Sequence, residues 1–366
     1  MEKYYIATIS AAKFVGVATV RKLIDYFGDA KSVWSAKLNE LLDSGIDKRA
    51  FNSLIEFRVK NPNAPEKLIE YCAKNKINLC SIVDDDYPPL LREIQSPPAV
   101  FYYYGEIEPD ADRIAMVGTR DNTLYGKRVA LEISEVLAAK NITVVSGAAR
   151  GIDTYAHTGA LKRGRTVAVL GCGINFAFDA NRELIKRIVE NGVVMTDYPP
   201  GQRPSAETFP PRNRIIAGLS YGVIVVEAGL KSGAIITSTY AGEYGRDVFA
   251  VPGNIFSEKS AGCHKLIRDG ATLITSADDI LEFYNVRLKK RRSDEISEST
   301  GVNSESVQLE GIEKQIFDVI PSGDFIGVDE ILMAIDEISP DEINSVLLQL
   351  ELKNCIVEND GAYIRK

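Results

Sequence analysis

Between residues 114 and 274 the chain repeats one pattern: a short run of branched aliphatic residues, a glycine-bearing loop, then an amphipathic stretch. The apolar runs fall at 114–117, 143–145, 167–170, 193–196, 223–226, 248–251 and 272–274. Helical stretches lie between them at 128–140, 181–191, 213–219 and 235–244. Strands that are apolar almost throughout belong to a sheet covered on both faces. Their alternation with helices predicts an α/β domain built on a doubly wound, mostly parallel sheet.

The flanks read differently. Residues 18–27 have helical period and stop at Gly28, a natural C-terminal cap. Further helices are predicted over 33–42, 48–59 and 66–75, and then Asp84-Asp-Asp-Tyr-Pro-Pro89 and Ser96-Pro-Pro98 punctuate a connector. This divides an all-helical domain, 1–95, from the α/β domain, 96–286. Residues 287–306 are polar, rich in serine and glutamate and without aromatics, the composition of a flexible linker. In 307–366, three short helices (312–320, 328–335, 340–350) precede two strands around Asn359-Asp-Gly361, the order of a winged-helix domain.

Several classes are excluded at once. Uncharged apolar runs such as 215–226 are too short to cross a bilayer, and the N-terminus has no basic region leading into an apolar stretch. Five scattered cysteines without a Cys-x-x-Cys fit reduced thiols, and two histidines cannot build a histidine-rich metal centre. A cytoplasmic protein with no membrane partner is expected. The net charge of −8 hides its distribution: 307–366 carries −9, whereas 112–286 carries +2. The α/β domain can therefore present a local basic groove to phosphate.

Glycine follows the predicted strands with regularity, in Gly118-Thr-Arg120, Ser146-Gly-Ala-Ala-Arg-Gly-Ile-Asp153, Gly171-Cys-Gly173, Glu227-Ala-Gly229 with Ser232-Gly233, and Pro252-Gly-Asn254. In a parallel sheet these loops emerge at one edge, the carboxyl ends of the strands, where such folds bind ligands. Glycine lets backbone approach a ligand, and helix N-termini offer N–H groups to anions. Phe209-Pro-Pro-Arg-Asn-Arg214 adds an aromatic ring to two arginines, the pairing that stacks bases and holds phosphates of single strands. The plainer alternative buries Phe209 and pairs the arginines with acids.

Nucleotide motifs fail. Gly171-Cys-Gly173 lacks the third glycine of a dinucleotide fingerprint; Gly159 to Thr166 resembles a P-loop but carries Arg165 for lysine and precedes a strand. No cofactor is expected. Asp153 and His157 are a carboxylate–imidazole pair at helical spacing, for which helix capping or a surface contact is the plainer role.

Taken in order, the glycine loops, Pro211-Arg-Asn-Arg-Ile-Ile-Ala-Gly-Leu-Ser220, Ser232-Gly-Ala-Ile-Ile-Thr237, Gly245-Arg-Asp-Val-Phe-Ala-Val-Pro-Gly253 and Gly262-Cys-His-Lys-Leu-Ile-Arg-Asp-Gly-Ala271 resemble the DNA-processing protein A family, also called Smf. The resemblance implies an extended Rossmann-like domain that binds single-stranded DNA and forms a homodimer. It further implies protection of incoming DNA in natural transformation, loading of a RecA-type recombinase and displacement of single-strand-binding protein, without enzymatic turnover. The DNA-binding residues it implies are Gly118, Arg120, Ser146, Gly147, Ala148, Arg150, Phe209, Arg212, Asn213, Arg214 and, more weakly, Arg246. Departures from the family pattern are Asn175 and Phe178-Asp179 after Gly-Cys-Gly, Pro211 before Arg212, and His264. Residues 14–28 resemble a helix-hairpin-helix of sterile-alpha-motif-like modules, to which a structural or interaction role is assigned. The acidic winged helix is read as a protein-interaction domain. The rival is a nucleotide-hydrolysing enzyme, for which Glu227, at the end of its strand, is the candidate acid.

Overall fold

The structure, a computed structural model, describes residues 1–179, 181–284, 311–321, 326–335, 339–352, 355–359 and 362–365. The chain divides into two compact units, Met1–Arg287 and Leu288–Lys366. The linker expected at 287–306 lies outside the described residues.

The first unit is organised by a nine-stranded sheet. Its strands are β1 (Asn78–Ser81), β2 (Val100–Gly105), β3 (Arg113–Val117), β4 (Thr143–Ser146), β5 (Thr166–Val169), β6 (Gly192–Thr196), β7 (Gly222–Val225), β8 (Asp247–Ala250) and β9 (Thr272–Leu273). The order is β1-β2-β6-β5-β4-β3-β7-β8-β9. All pairs from β6 to β9 are parallel, while β1–β2 and β2–β6 are antiparallel. The expected mostly parallel α/β sheet is thus present, and its chain order reverses direction between β3 and β7.

The strands are apolar throughout because successive residues serve opposite cores. Phe101, Val167, Val169, Val193 and Met195 pack in one cluster, whereas Val100, Tyr102, Ala168 and Val194 pack in another. On the second face lie α1 (Glu2–Ser10), α2 (Val17–Phe27), α3 (Ala30–Ser35), α4 (Leu38–Asp43), α5 (Lys48–Lys60), α6 (Ala64–Asn75) and, after the short α7 (Pro89–Arg92), α8 (Leu124–Ala139) and α9 (Ile152–Ala160), the helix α10 (Arg182–Glu190). Of these, α1 to α6 and α10 contribute residues to that core, such as Ile6, Leu23, Val33, Leu41, Leu54, Cys72 and Ile188. On the first face, α11 (Phe209–Gly218) and α12 (Gly233–Glu243) supply Ile215, Ile216, Ala234 and Ala241, and α13 (Ala261–Arg268) supplies Cys263.

The reading of 1–95 as wholly helical is corrected here. Residues 78–81 form β1, paired in register with 100–103 of β2, so the sheet draws on chain from both sides of position 95. The helix predicted over 33–42 is two helices, α3 and α4, with Ala36 extended between them at ψ 146°. In the second unit, helices Ile312–Val319, Val328–Ala334 and Pro340–Leu352 accompany a three-stranded antiparallel sheet ordered β10-β12-β11, with β10 at Ile326–Gly327, β11 at Ile356–Asn359 and β12 at Ala362–Arg365. Ile316, Ile331, Ile343, Leu347, Leu350 and Ile356 form its own core. The turn expected at 360–361 is outside the described residues. Among the described residues no helix is long and apolar enough to cross a membrane.

Candidate functional site

At the carboxyl ends of β3, β4 and β7, where the strand order reverses, a cleft of about 400 Å³ opens between the loop after β3 and the N-terminal turns of α11 and α12. Open α/β sheets place their ligands at this topological position. Gly118, Arg120, Asp153, Phe209, Arg212 and Asn213 are among its walls.

The loops forming it are clamped to one another. Thr119 N–H donates to Glu227 C=O (2.7 Å), and Ile152 N–H donates to Thr119 C=O (3.2 Å). Gly151 adopts φ +90°, and a side chain there would strike the backbone of Thr119 and Arg120; the close approach of the two loops requires glycine at this point. The Arg150 Nε donates to the Arg120 carbonyl (3.3 Å). Both arginine side chains remain exposed at the rim.

Over the cleft, the Arg120 guanidinium sits 5.0 Å from the centroid of the Phe209 ring. Phe209 opens α11, is followed by two prolines and is half-buried; a side chain at Gly171 would meet its ring edge. The planar cation therefore lies over the aromatic face at an accessible rim, a cation–π pair whose guanidinium is suited to a phosphate oxygen.

The remaining arginines are committed to the fold. Arg212 is 4% exposed. Its Nη1 donates to the carbonyls of Gly147 (2.8 Å) and Val169, and its Nε donates to Asn213 Oδ1 (3.2 Å), so it ties α11 to the loops after β4 and β5. Beside it, Asp153 Oδ2 accepts from the N–H groups of Gly147 (3.2 Å) and Ala149 (3.3 Å). Burial raises the Asp153 carboxyl above the usual range, and the Arg212 charge works against that rise. A side chain at Gly147 would run into both groups. Asn213 Nδ2 donates to Gly233 C=O (3.1 Å), locking α11 to the start of α12. Arg214 pairs with Asp197 (2.6 Å), and Arg246 pairs with Glu93 (2.9 Å) while donating to Leu90 C=O (3.0 Å).

This geometry brings only some of the expected residues to the cleft, and it corrects the roles expected of Asp153 and His157. Arg214 and Arg246 do not line the cleft, because carboxylates from distant segments hold them elsewhere. Arg214 and Asp197 instead line a second cleft, of about 410 Å³, whose opposite wall includes Val15 to Ala18 of the hairpin-like segment. Ser146 is fully buried, its hydroxyl donating to Met116 C=O (2.6 Å), and the Gly147 N–H is spent on Asp153. Ala148 takes a left-handed φ of 54° between them. Asp153 does not cap α9, whose N-cap is Gly151; it braces the loop before that helix. His157 is not at the surface: it is wholly buried, its Nδ1 is 2.7 Å from Thr166 Oγ1, and burial pushes its pKa down to about 3.

Glu227 is likewise engaged. Its two carboxylate oxygens accept from Thr123 N–H (2.9 Å) and Thr123 Oγ1 (2.5 Å), and Thr123 caps α8 by accepting from Gly126 N–H (3.1 Å). It anchors a helix start and is not a wall of the cleft. Among the described residues, Cys80, Asp84 and Asp86 bring metal-type donor atoms within 4.8 Å of one another. The Cys80 thiol, raised by burial and both aspartates, donates to Asp86 (3.4 Å), while Asp84 accepts from Ser81 N–H (2.9 Å), away from the cleft. The Ser232-Gly233 loop, expected at the binding edge without a named contact residue, leads into the wall formed by Ser232 to Thr237, where Ser232 Oγ accepts from Ala234 N–H (3.3 Å) to cap α12.

The fold and the cleft define a Rossmann-like protein whose cleft edge carries an arginine and an aromatic ring at the rim, with Asp153 and Arg212 packed behind them. Residues 78–285 match the model of the DNA recombination-mediator protein A family, to which the chain belongs. It is 39% identical over 290 residues to the protein Smf of Synechocystis, across 76% of this chain and 72% of that one. It is 44% identical over 204 residues to the DNA processing protein DprA of Streptococcus pneumoniae, across 55% of this chain and 72% of that protein. Among solved structures, that of the Streptococcus pneumoniae DprA matches at TM-score 0.66 and 35% identity, covering 77% of this chain and 98% of that one. The Helicobacter pylori DNA processing protein A, described for its single-stranded DNA binding mode, matches at TM-score 0.52 and 28% identity, over 59% and 97%.

Proposed function

We propose that this protein binds single-stranded DNA along the carboxyl edge of its sheet, protects incoming strands in natural transformation and loads a RecA-type recombinase on them, without turnover. The observation that carries the reading is the exposed Arg120 guanidinium over the Phe209 ring at the rim of the cleft, a pair that a base can enter by displacing the guanidinium towards a phosphate. Arg120 and Arg150 hold phosphates, and Phe209 stacks a base with little sequence preference. Gly118 and the loop from Gly147 to Ala149 let backbone lie close to the strand, while Arg212, Asn213 and Asp153 hold that surface in shape. Arg214 and Arg246 act as struts.

A homodimer lays two such clefts along one strand, and displacement of single-strand-binding protein precedes recombinase loading, as in the family resemblance. Helices α1 to α6 serve as a sterile-alpha-motif-like module in a structural or interaction role. Residues 307–366 act as a winged-helix interaction domain in the cytoplasm: they carry −9, and helix Pro340–Leu352 has no basic residue, so a polyanion is repelled. A nucleotide-hydrolysing reading is disfavoured because Glu227, the acid it needs, is held at the start of α8.

The test is the anisotropy of a labelled oligothymidine and of its duplex, measured across a salt series with the full chain. Tighter binding of the single strand that weakens as salt rises is the expected result. No single-strand binding at low salt overturns the reading.

A further inference from the structure

The loop after β8 carries two large apolar side chains held out at the sheet's carboxyl edge, Ile255 at 78% and Phe256 at 89% exposure. The loop beneath them is nevertheless fixed. Pro252 C=O accepts from Tyr125 Oη (2.8 Å), and Gly253 C=O lies 3.1 Å from His264 Nε2. Asn254 closes the apex, its Oδ1 accepting from Phe256 N–H (2.9 Å) and its carbonyl from Ser257 N–H (3.0 Å). Lys259 C=O accepts from Ala228 N–H (2.7 Å), and the Lys259 ammonium pairs with Asp121 (3.0 Å), the neighbour of Arg120. An aromatic ring is thus held out into solvent on pre-ordered backbone, so a partner that covers it orders little more than the ring itself.

We propose that Phe256 is a second base-stacking position, extending the bound single strand beyond the Arg120–Phe209 cleft; this rests on the single-strand reading above. Three features favour a strand of bases as the occupant. The loop leaves the same edge as the cleft, since β3, β7 and β8 are parallel neighbours, and its root lies about 10 Å from that of the Arg120 loop. The Lys259–Asp121 pair joins the two loops, so the ring continues the proposed interface directly. The loop also offers a face and not a charge: its lysine is spent on Asp121 and Glu258 is exposed beside it, which suits a base and not a phosphate.

The experiment uses the full chain with labelled oligothymidine, as wild type, Phe256→Ala and Phe256→Trp. The exposed position leaves the core untouched by either substitution. Phe256→Ala is expected to weaken binding about five- to tenfold, the effect of losing one stacked base, with the salt dependence unchanged because no phosphate contact is lost. Phe256→Trp is expected to restore affinity, and its emission to fall on binding oligothymidine beyond the change shown by wild type, whose single tryptophan is Trp34. Wild-type affinity in Phe256→Ala, together with unquenched Phe256→Trp, overturns the proposal while leaving the single-strand reading intact. Unchanged affinity with a shifted sedimentation coefficient overturns it too, and makes the loop a self-association surface. Failure of wild type to bind oligothymidine removes both readings together.

Discussion

Arg212 and Arg214 stand two residues apart on one helix and meet opposite fates, decided by partners the local sequence does not reveal. Arg212 reaches carbonyls of Gly147 and Val169, and Arg214 reaches Asp197. Removing Arg214 leaves a carboxylate that burial already disfavours, so Arg214→Ala should lower unfolding stability by about 2–4 kcal/mol. Oligothymidine affinity per folded molecule should stay within twofold of wild type; urea unfolding and anisotropy on the same preparation check both. His157 carries a pH signature. Unfolded, it takes a proton near 6.5; folded, burial holds it neutral down to about 3. The unfolded chain binds the extra proton in between, so this group's contribution is complete above 6.5 and is lost as pH falls towards 3, at up to about 1.4 kcal/mol per unit. His157→Gln should flatten the dependence of the urea midpoint on pH by one proton's worth. An unchanged slope in that variant would place the imidazole in contact with solvent. The residue types of the site were legible in Gly118-Thr-Arg120 and Phe209 to Arg214. Which arginine is free was not, because Asp197, Glu93 and Asp153 are brought in by the fold from other segments.

Elements with a local pattern were legible, and those defined by distant pairing were not. The strands β3 to β7 announce themselves as apolar runs because both faces of the sheet are covered there. β1 and β2 do not: they flank proline-rich turns, and only their antiparallel pairing reveals them. The break between α3 and α4 is similarly silent in apolar period, since Val33, Ala36 and Leu41 all remain buried across it. The start of α8 shows how a strand-end acid can be misread. Glu227 lies 104 residues from Thr123 in sequence, yet its carboxylate receives that residue's N–H and hydroxyl. Glu227→Ala should therefore cost about 1–3 kcal/mol of stability, the loss of two charge-assisted hydrogen bonds at a helix start. It should leave oligothymidine binding within twofold of wild type. Thermal unfolding followed at 222 nm, with anisotropy alongside, separates the two effects.

At the scale of the whole molecule, charge and architecture agree. The unit ending at Arg287 holds the sheet, both of its cores and the candidate cleft, while the second unit has its own small core and the chain's acidity. A chain ending at Arg287 should bind oligothymidine with wild-type affinity and salt dependence. A large loss would make the acidic unit part of the binding surface, contrary to the −9 charge it carries. The central claim is that a phosphate is held by Arg120 at the cleft rim and not by Arg212 behind it or by Arg214, which faces the second cleft. The measurement that tests it is the logarithmic salt dependence of oligothymidine binding for wild type, Arg120→Ala and Arg214→Ala. The account predicts a slope shallower by about one for Arg120→Ala and an unchanged slope for Arg214→Ala. An unchanged slope for Arg120→Ala, with a shallower one for Arg214→Ala, would contradict it.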